Sequence, residues 1–77
     1  MRVHVYAALK DHFDKEFELD TLVGSTEELK EVLIHMNPST ANILSSCRFA
    51  VNDAFIDKDF KLKSNDTVAI IPPSSGG

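Results

Sequence analysis

The sequence predicts an α+β fold, a mixed sheet of four to five strands with one main helix packed on one face. Three observations carry this. Residues 2–9 and 15–20 alternate apolar and polar side chains with a period of two, as half-buried strands do. Residues 29–36 instead place apolar side chains at helical spacing. The run Thr67-Val68-Ala69-Ile70-Ile71 is apolar on both faces, which suits a strand in the middle of a sheet. Seventy-seven residues make one domain with a modest core and no room for a large internal active-site cavity.

In the opening strand Val3, Val5, Ala7 and Leu9 fall on one side, with Val3, Val5 and Leu9 facing the core. His4, Tyr6 and Ala8 fall on the other. The polar stretch Lys10-Asp11-His12-Phe13-Asp14 turns the chain, with Phe13 as an apolar anchor. Phe17 and Leu19 then point inward from a second strand that completes a hairpin. Ser25, followed three residues later by Glu28, has the form of a capping box. Glu27 and Glu28 lie where the helix dipole favours negative charge. Leu29, Val32, Leu33 and Met36 recur at i, i+3, i+4 and i+7 and make one apolar face. Asn37-Pro38 stops the helix, because the residue before proline avoids the α region.

Residues 39–46 are expected to hold a short helical turn that buries Ile43 and Leu44. Phe49 and Val51 face inward from a third strand. Asn52-Asp53 is turn chemistry, and Ala54-Phe55-Ile56 is a short strand beyond it. Phe60 and Leu62 pack along an irregular crossing, and Ser64-Asn65-Asp66 turns the chain into the last strand. If that strand lies beside the first, the sheet is mixed and the chain leaves from its middle. One helix cannot cover both faces of the sheet. The other face, with Tyr6, Ala8, Ala69 and Ile71, is then an exposed apolar patch of the kind that marks partner interfaces.

Composition excludes several functions. An apolar content of 43% with 26% charged residues argues against wholesale disorder. The net charge of −4 argues against nucleic-acid binding, which needs a basic footprint. A single cysteine, Cys47, allows no disulfide within the chain and fits a reducing compartment. There is no signal-peptide pattern and no apolar run long enough to span a bilayer, so a cytoplasmic protein without a membrane partner is expected.

Few residues offer self-contained chemistry. His4, His12 and His35 are too dispersed for a metal motif, and Asp11, His12 and Asp14 read as a solvated loop. His4 reads as a rim contact on the open face. Cys47 beside Arg48 has the makings of an activated thiol, since a neighbouring cation lowers thiol pKa. A lone cysteine is more often a small buried hydrophobe. The serines lack a nucleophile-elbow context. The chain is therefore not expected to be an enzyme on its own, nor to bind a metal or cofactor.

Attention falls on residues 72–77, Pro72-Pro73-Ser74-Ser75-Gly76-Gly77, read as a flexible reactive tail on a domain spanning 1–71. Two prolines stiffen its base, since neither can continue a sheet ladder. Two glycines without Cβ atoms can thread a passage that side chains would block. A frayed terminus is the plain alternative. A carboxylate is a poor electrophile until it carries a good leaving group such as a nucleotide. An acyl-adenylate on Gly77 would be open to attack by sulfur or an amine.

With these residues in view, the sequence resembles the ubiquitin-like β-grasp sulfur carriers of the MoaD/ThiS superfamily, most closely the MoaD family of molybdopterin synthase small subunits. Three stretches carry the resemblance: Val3-His4-Val5-Tyr6-Ala7-Ala8-Leu9-Lys10; Val51-Asn52 together with Ser64-Asn65-Asp66-Thr67-Val68; and Ile71-Pro72-Pro73-Ser74-Ser75-Gly76-Gly77. The last is similar to that family's aromatic-Pro-Pro-x-x-Gly-Gly close. The resemblance implies a β-grasp fold and a sulfur-transfer cycle. A MoeB-like, E1-like enzyme would spend ATP to adenylate Gly77, and a sulfur donor protein would convert it to a thiocarboxylate. The tail would then enter a MoaE-like large subunit, within a heterotetramer, to deliver sulfur to the pyranopterin precursor. It places Gly77 and Gly76 at the chemistry, and Tyr6, Ala69, Ile71, Pro72, Pro73, Ser74 and Ser75 against partners.

Two departures stand out. Ile71 replaces the aromatic residue usual before Pro-Pro. The glycine usual in the last turn is absent, which leaves any left-handed position there to Asn65 or Asp66. The alternatives are a carrier for thiamine or cysteine synthesis, a ubiquitin-like modifier, and a β-grasp interaction module with an inert tail.

Overall fold

In the computed structural model, which describes residues 1–73, five strands form one mixed sheet. The strands are β1 (Arg2–Val5), β2 (Glu16–Glu18), β3 (Arg48–Val51), β4 (Ala54–Ile56) and β5 (Thr67–Ile71). The helices are α1 (Thr26–Met36) and α2 (Ala41–Ser46), with 3₁₀ turns at Ala7–Asp11 and Pro38–Thr40. The sheet order is β2-β1-β5-β3-β4. β1 and β5 run parallel at its centre, with Val3 beside Val68 and Val5 beside Ile70. The other pairs are antiparallel. This is the β-grasp arrangement, a hairpin and further strands wrapped on one main helix.

The core lies between the helices and one face of the sheet. Val3 and Val5 of β1, Val68 and Ile70 of β5, Leu29 and Leu33 of α1 and Leu44 of α2 are all fully buried there. Each such side chain contributes roughly 1.5–3 kcal/mol by leaving water. α1 begins where the sequence indicates. Ser25 Oγ accepts a hydrogen bond from the Glu28 backbone N–H at 3.2 Å, and Glu28 Oε1 accepts one from Gly24 N–H at 3.0 Å. The reach-back lands one residue before the usual capping-box donor. The crossing segment satisfies two further orphan donors of the first turn: Thr26 N–H donates to the Phe60 carbonyl and Glu27 N–H to that of Lys58.

Several expectations need correction. The first strand stops at Val5, not at Leu9, and Ala7–Asp11 is a 3₁₀ turn. Ala7 reverses the chain with φ of 53°, and Leu9 N–H donates to the Tyr6 carbonyl at 3.2 Å. Leu9 still reaches the core, carried there by the turn and not by strand alternation. Ala8 sits on that turn, exposed, and does not line the sheet's open face. Met36 is 53% exposed, so the apolar stripe of α1 is wider than the surface that covers it. Phe60 is also partly exposed, and Leu62 is the inward residue of the crossing.

The last turn needs no left-handed residue: neither Asn65 nor Asp66 has a positive φ. It closes instead through Asp66, whose Oδ2 accepts from Lys63 N–H at 2.8 Å and whose N–H donates to the Lys63 carbonyl at 3.0 Å. The left-handed pair lies at Asn52 and Asp53, with φ of 53° and 65°, in the two-residue turn between β3 and β4. Positive φ at both central residues is what a type I′ hairpin demands, and Asn and Asp tolerate it.

Candidate functional site

Because Val68 and Ile70 point into the core, Thr67, Ala69 and Ile71 of the same strand point out of the opposite face. The registers align the neighbours. His4 lies across from Glu16 on one side and Ala69 on the other, Ala69 across from Ala50, and Ala50 across from Phe55. The central row of the open face is thus Glu16, His4, Ala69, Ala50 and Phe55. Two alanines in its middle leave a concavity of about 550 Å³, with Tyr6 and Ile71 on one wall and Phe55 on another. Tyr6 is the residue after the Val5–Ile70 pair, which sets it beside Ile71.

Charge brackets this apolar floor. On the β1–β2 side Arg2 contacts Glu16 at 2.7 Å and Glu18 at 3.1 Å, and His4 Nε2 lies 2.7 Å from Glu16 Oε2. On the β3–β4 side the Arg48 guanidinium stacks over the Phe55 ring, 3.8 Å from its centroid. Exposed pairs of this kind add at most about 1 kcal/mol each to stability. Together they give this face its pattern: apolar in the middle, charged at the edges.

The tail leaves from the edge of this face. β5 is the central strand, and it ends at Ile71, across from Arg48. Pro72 follows half-buried and Pro73 exposed. Ser74, Ser75, Gly76 and Gly77 lie outside the described residues. Of the residues singled out in the sequence, Tyr6, Ala69 and Ile71 come together at one hollow, and His4 lies at its rim. Ala50, Arg48 and Phe55 were not singled out for this face. The alternation of β3 carries the signal for the first two, since both fall opposite Phe49 and Val51.

Cys47 is not the activated thiol that its neighbour in sequence suggests. Its Sγ–H donates to the Ile43 carbonyl at 3.1 Å, and burial pushes the thiol above its ordinary pKa. The side chain of Arg48 is engaged instead with Phe55. Among the described residues no group of three His, Cys, Asp or Glu side chains is placed to hold a metal ion. None of their helices is long and apolar enough to cross a membrane.

A small mixed sheet whose central strand ends beside an open apolar face defines a β-grasp domain. Residues 3–77 match the model of the ThiS family, and the chain belongs to that family. It is 33% identical to the molybdopterin synthase sulfur carrier subunit of Dictyostelium discoideum, in an alignment covering 99% of this chain and 94% of that protein. It is 41% identical to the subunit of the same name from Chlamydomonas reinhardtii over 68% of this chain and 65% of that protein. Among solved structures it superposes on a chain of the complex of subunits 1 and 2 of molybdopterin-converting factor from Helicobacter pylori. The TM-score is 0.69 at 25% identity, covering 99% and 96% of the two chains. It also superposes on SAMP1 from Haloferax volcanii with a TM-score of 0.80 at 15% identity, covering 99% and 97%, a likeness of fold.

Proposed function

We propose that this chain is the sulfur-carrier subunit of a molybdopterin synthase and acts through the α-carboxylate of Gly77. The observation that carries the reading is the position of β5, central in the sheet and ending at Ile71 on the rim of an open apolar face. The family and the names of the curated relatives support it. In the cycle, a carboxylate oxygen of Gly77 attacks the α-phosphorus of ATP in a MoeB-like enzyme and pyrophosphate leaves. The outer sulfur of a donor protein's persulfide then displaces AMP from the acyl carbon, and a thiol reduces the resulting acyl disulfide, leaving the thiocarboxylate and a disulfide on the donor. In a MoaE-like large subunit that sulfur attacks a carbon of the pyranopterin precursor and displaces an oxygen substituent; water then cleaves the acyl–sulfur bond, leaving sulfur on the precursor and a carboxylate on Gly77 for another round. The chain itself supplies no acid or base in this scheme. It supplies a carbonyl unhindered by side chains at Gly76 and Gly77, a stiff base at Pro72-Pro73, and a surface around Tyr6, Ala69 and Ile71 on which each partner seats, with Ser74 and Ser75 spanning the entry.

Mass spectrometry of the protein co-produced with its activating enzyme tests the reading. The expected product has one C-terminal oxygen replaced by sulfur. A chain that stays a plain carboxylate beside an activating enzyme shown to be competent would overturn it. Deleting Gly77, or adding one residue after it, is expected to abolish sulfur transfer while leaving the unfolding midpoint unchanged. Molybdopterin formation by either variant would rule out the tail as the reactive element.

A further inference from the structure

Five large apolar side chains stand exposed among the described residues: Tyr6, Leu22, Met36, Phe55 and Phe60. Tyr6 and Phe55 border the open face of the sheet, and Phe60 stands apart. Leu22, 87% exposed, and Met36 meet at a second place, a groove of about 540 Å³ on the helical layer across the sheet from the first. Its walls are residues 21–23 of the loop before α1 and the outward side of α1, with Val23 and Val32 between them. Val23 belongs to the core and Val32 packs against it, which leaves Leu22 and Met36 as the apolar side chains the core does not use.

The rim is acidic. Glu28 and Glu31 line the groove, and Asp20 lines an adjoining hollow that shares Leu22 and Val23. One oxygen of Glu28 is held by Gly24 N–H, whereas Glu31 and Asp20 form no ion pair among the described residues. Among the described residues of the lining, His35 is the only basic side chain, with no lysine or arginine. A second copy of the chain would bring the same carboxylates against these, which like-charge repulsion opposes. A small molecule would find an apolar trough without convergent polar groups to orient it.

We propose that this groove docks a partner protein segment that presents apolar side chains flanked by lysine or arginine. The apolar side chains cover Leu22, Val32 and Met36, and the basic ones reach Glu31 and Asp20. Because the groove and the open face lie on opposite sides of the sheet, a partner held here leaves the root of the tail free. The proposal does not rest on the sulfur-carrier reading.

The test is an NMR titration of the full chain with a short amphipathic Leu/Lys peptide, with its Leu/Glu counterpart in parallel. The expected result is saturable shifts centred on Leu22, Val32 and Met36 with the Leu/Lys peptide only. Leu22→Ser and Glu31→Lys, both at exposed positions, are expected to weaken binding about tenfold each. Any of four results would overturn the proposal. These are no saturable shift, shifts spread over the acidic surface and indifferent to Leu22→Ser, shifts centred on the open face, or concentration-dependent shifts at Leu22 and Met36 without peptide. The last would identify a second copy as the occupant.

Discussion

Ala69→Arg tests the open face most directly. Ala69 sits mid-strand in the central β5, between His4 and Ala50, with its Cβ directed into the concavity. Paired with Ala50 it forms the floor, so an arginine here stands where the proposed partner surface would meet two methyl groups. Disrupting the buried centre of an interface costs on the order of 2–4 kcal/mol. A loss of about 3 kcal/mol raises Kd by roughly a hundredfold. The fold is expected to lose less than about 0.5 kcal/mol, because the substitution displaces no core side chain. Calorimetric titration against the large subunit reads the first quantity and urea unfolding the second. Wild-type affinity in a folded Ala69→Arg protein would refute the assignment of this face to partner docking. A loss of stability well beyond that bound would refute the placement of Ala69 outside the core.

Further outcomes follow from the same geometry. Ser25→Ala removes the acceptor for Glu28 N–H and is expected to cost about 1 kcal/mol in urea unfolding; an unchanged midpoint would mean that water replaces the cap without loss. Ala7→Gly relieves a left-handed alanine, worth about 1 kcal/mol, against an added chain-entropy cost of about 0.5 kcal/mol, for a net gain of about 0.5 kcal/mol. Destabilisation would contradict the positive φ. Burial holds the Cys47 thiol protonated, so alkylation is expected to be slower than in an unstructured peptide and to accelerate only as pH rises past the ordinary thiol range. The sign for stability is the same: the raised pKa favours the folded state below the unfolded value, and that contribution is lost as pH climbs through the folded one. Alkylation as fast as in the peptide would show the thiol to be exposed.

Most of the fold was legible because local and tertiary preferences agree. Ser25 and Glu28 cap a helix whose Leu29 and Leu33 then reach the core, and Phe49 and Val51 alternate into it from β3. The first strand was overextended because Ala7 and Leu9 continue the period-two pattern while the backbone does not. The turn that ends it rests on a positive φ at alanine, which no residue type announces. Met36 departs from its helical pattern for a different reason. Helical spacing fixes which face a residue shares, but not how far the opposing sheet extends to cover it. At the open face Tyr6, Ala69 and Ile71 were visible from strand parity. The alternation of β3 places Arg48 there too, but its stacking on Phe55 is not legible, because it depends on the β3–β4 register set by the Asn52-Asp53 turn.

The position of β5 has a kinetic consequence for a carrier that works by the proposed cycle. The activating enzyme and the large subunit must both reach Gly77, and the tail springs from one edge of one face. Two partners that seat around Ala69 and Ile71 exclude each other, so the chain must dissociate from the first before it can serve the second. Such a face needs enough apolar surface to dock and too little to lock. A central floor of two alanines between charged edges, with Tyr6, Ile71 and Phe55 confined to the walls, suits that requirement: small side chains bury little area, and rim charges steer encounter more than they slow release. Enlarging the anchor, for instance by Ala50→Leu, should therefore tighten each complex while slowing turnover of the complete cycle.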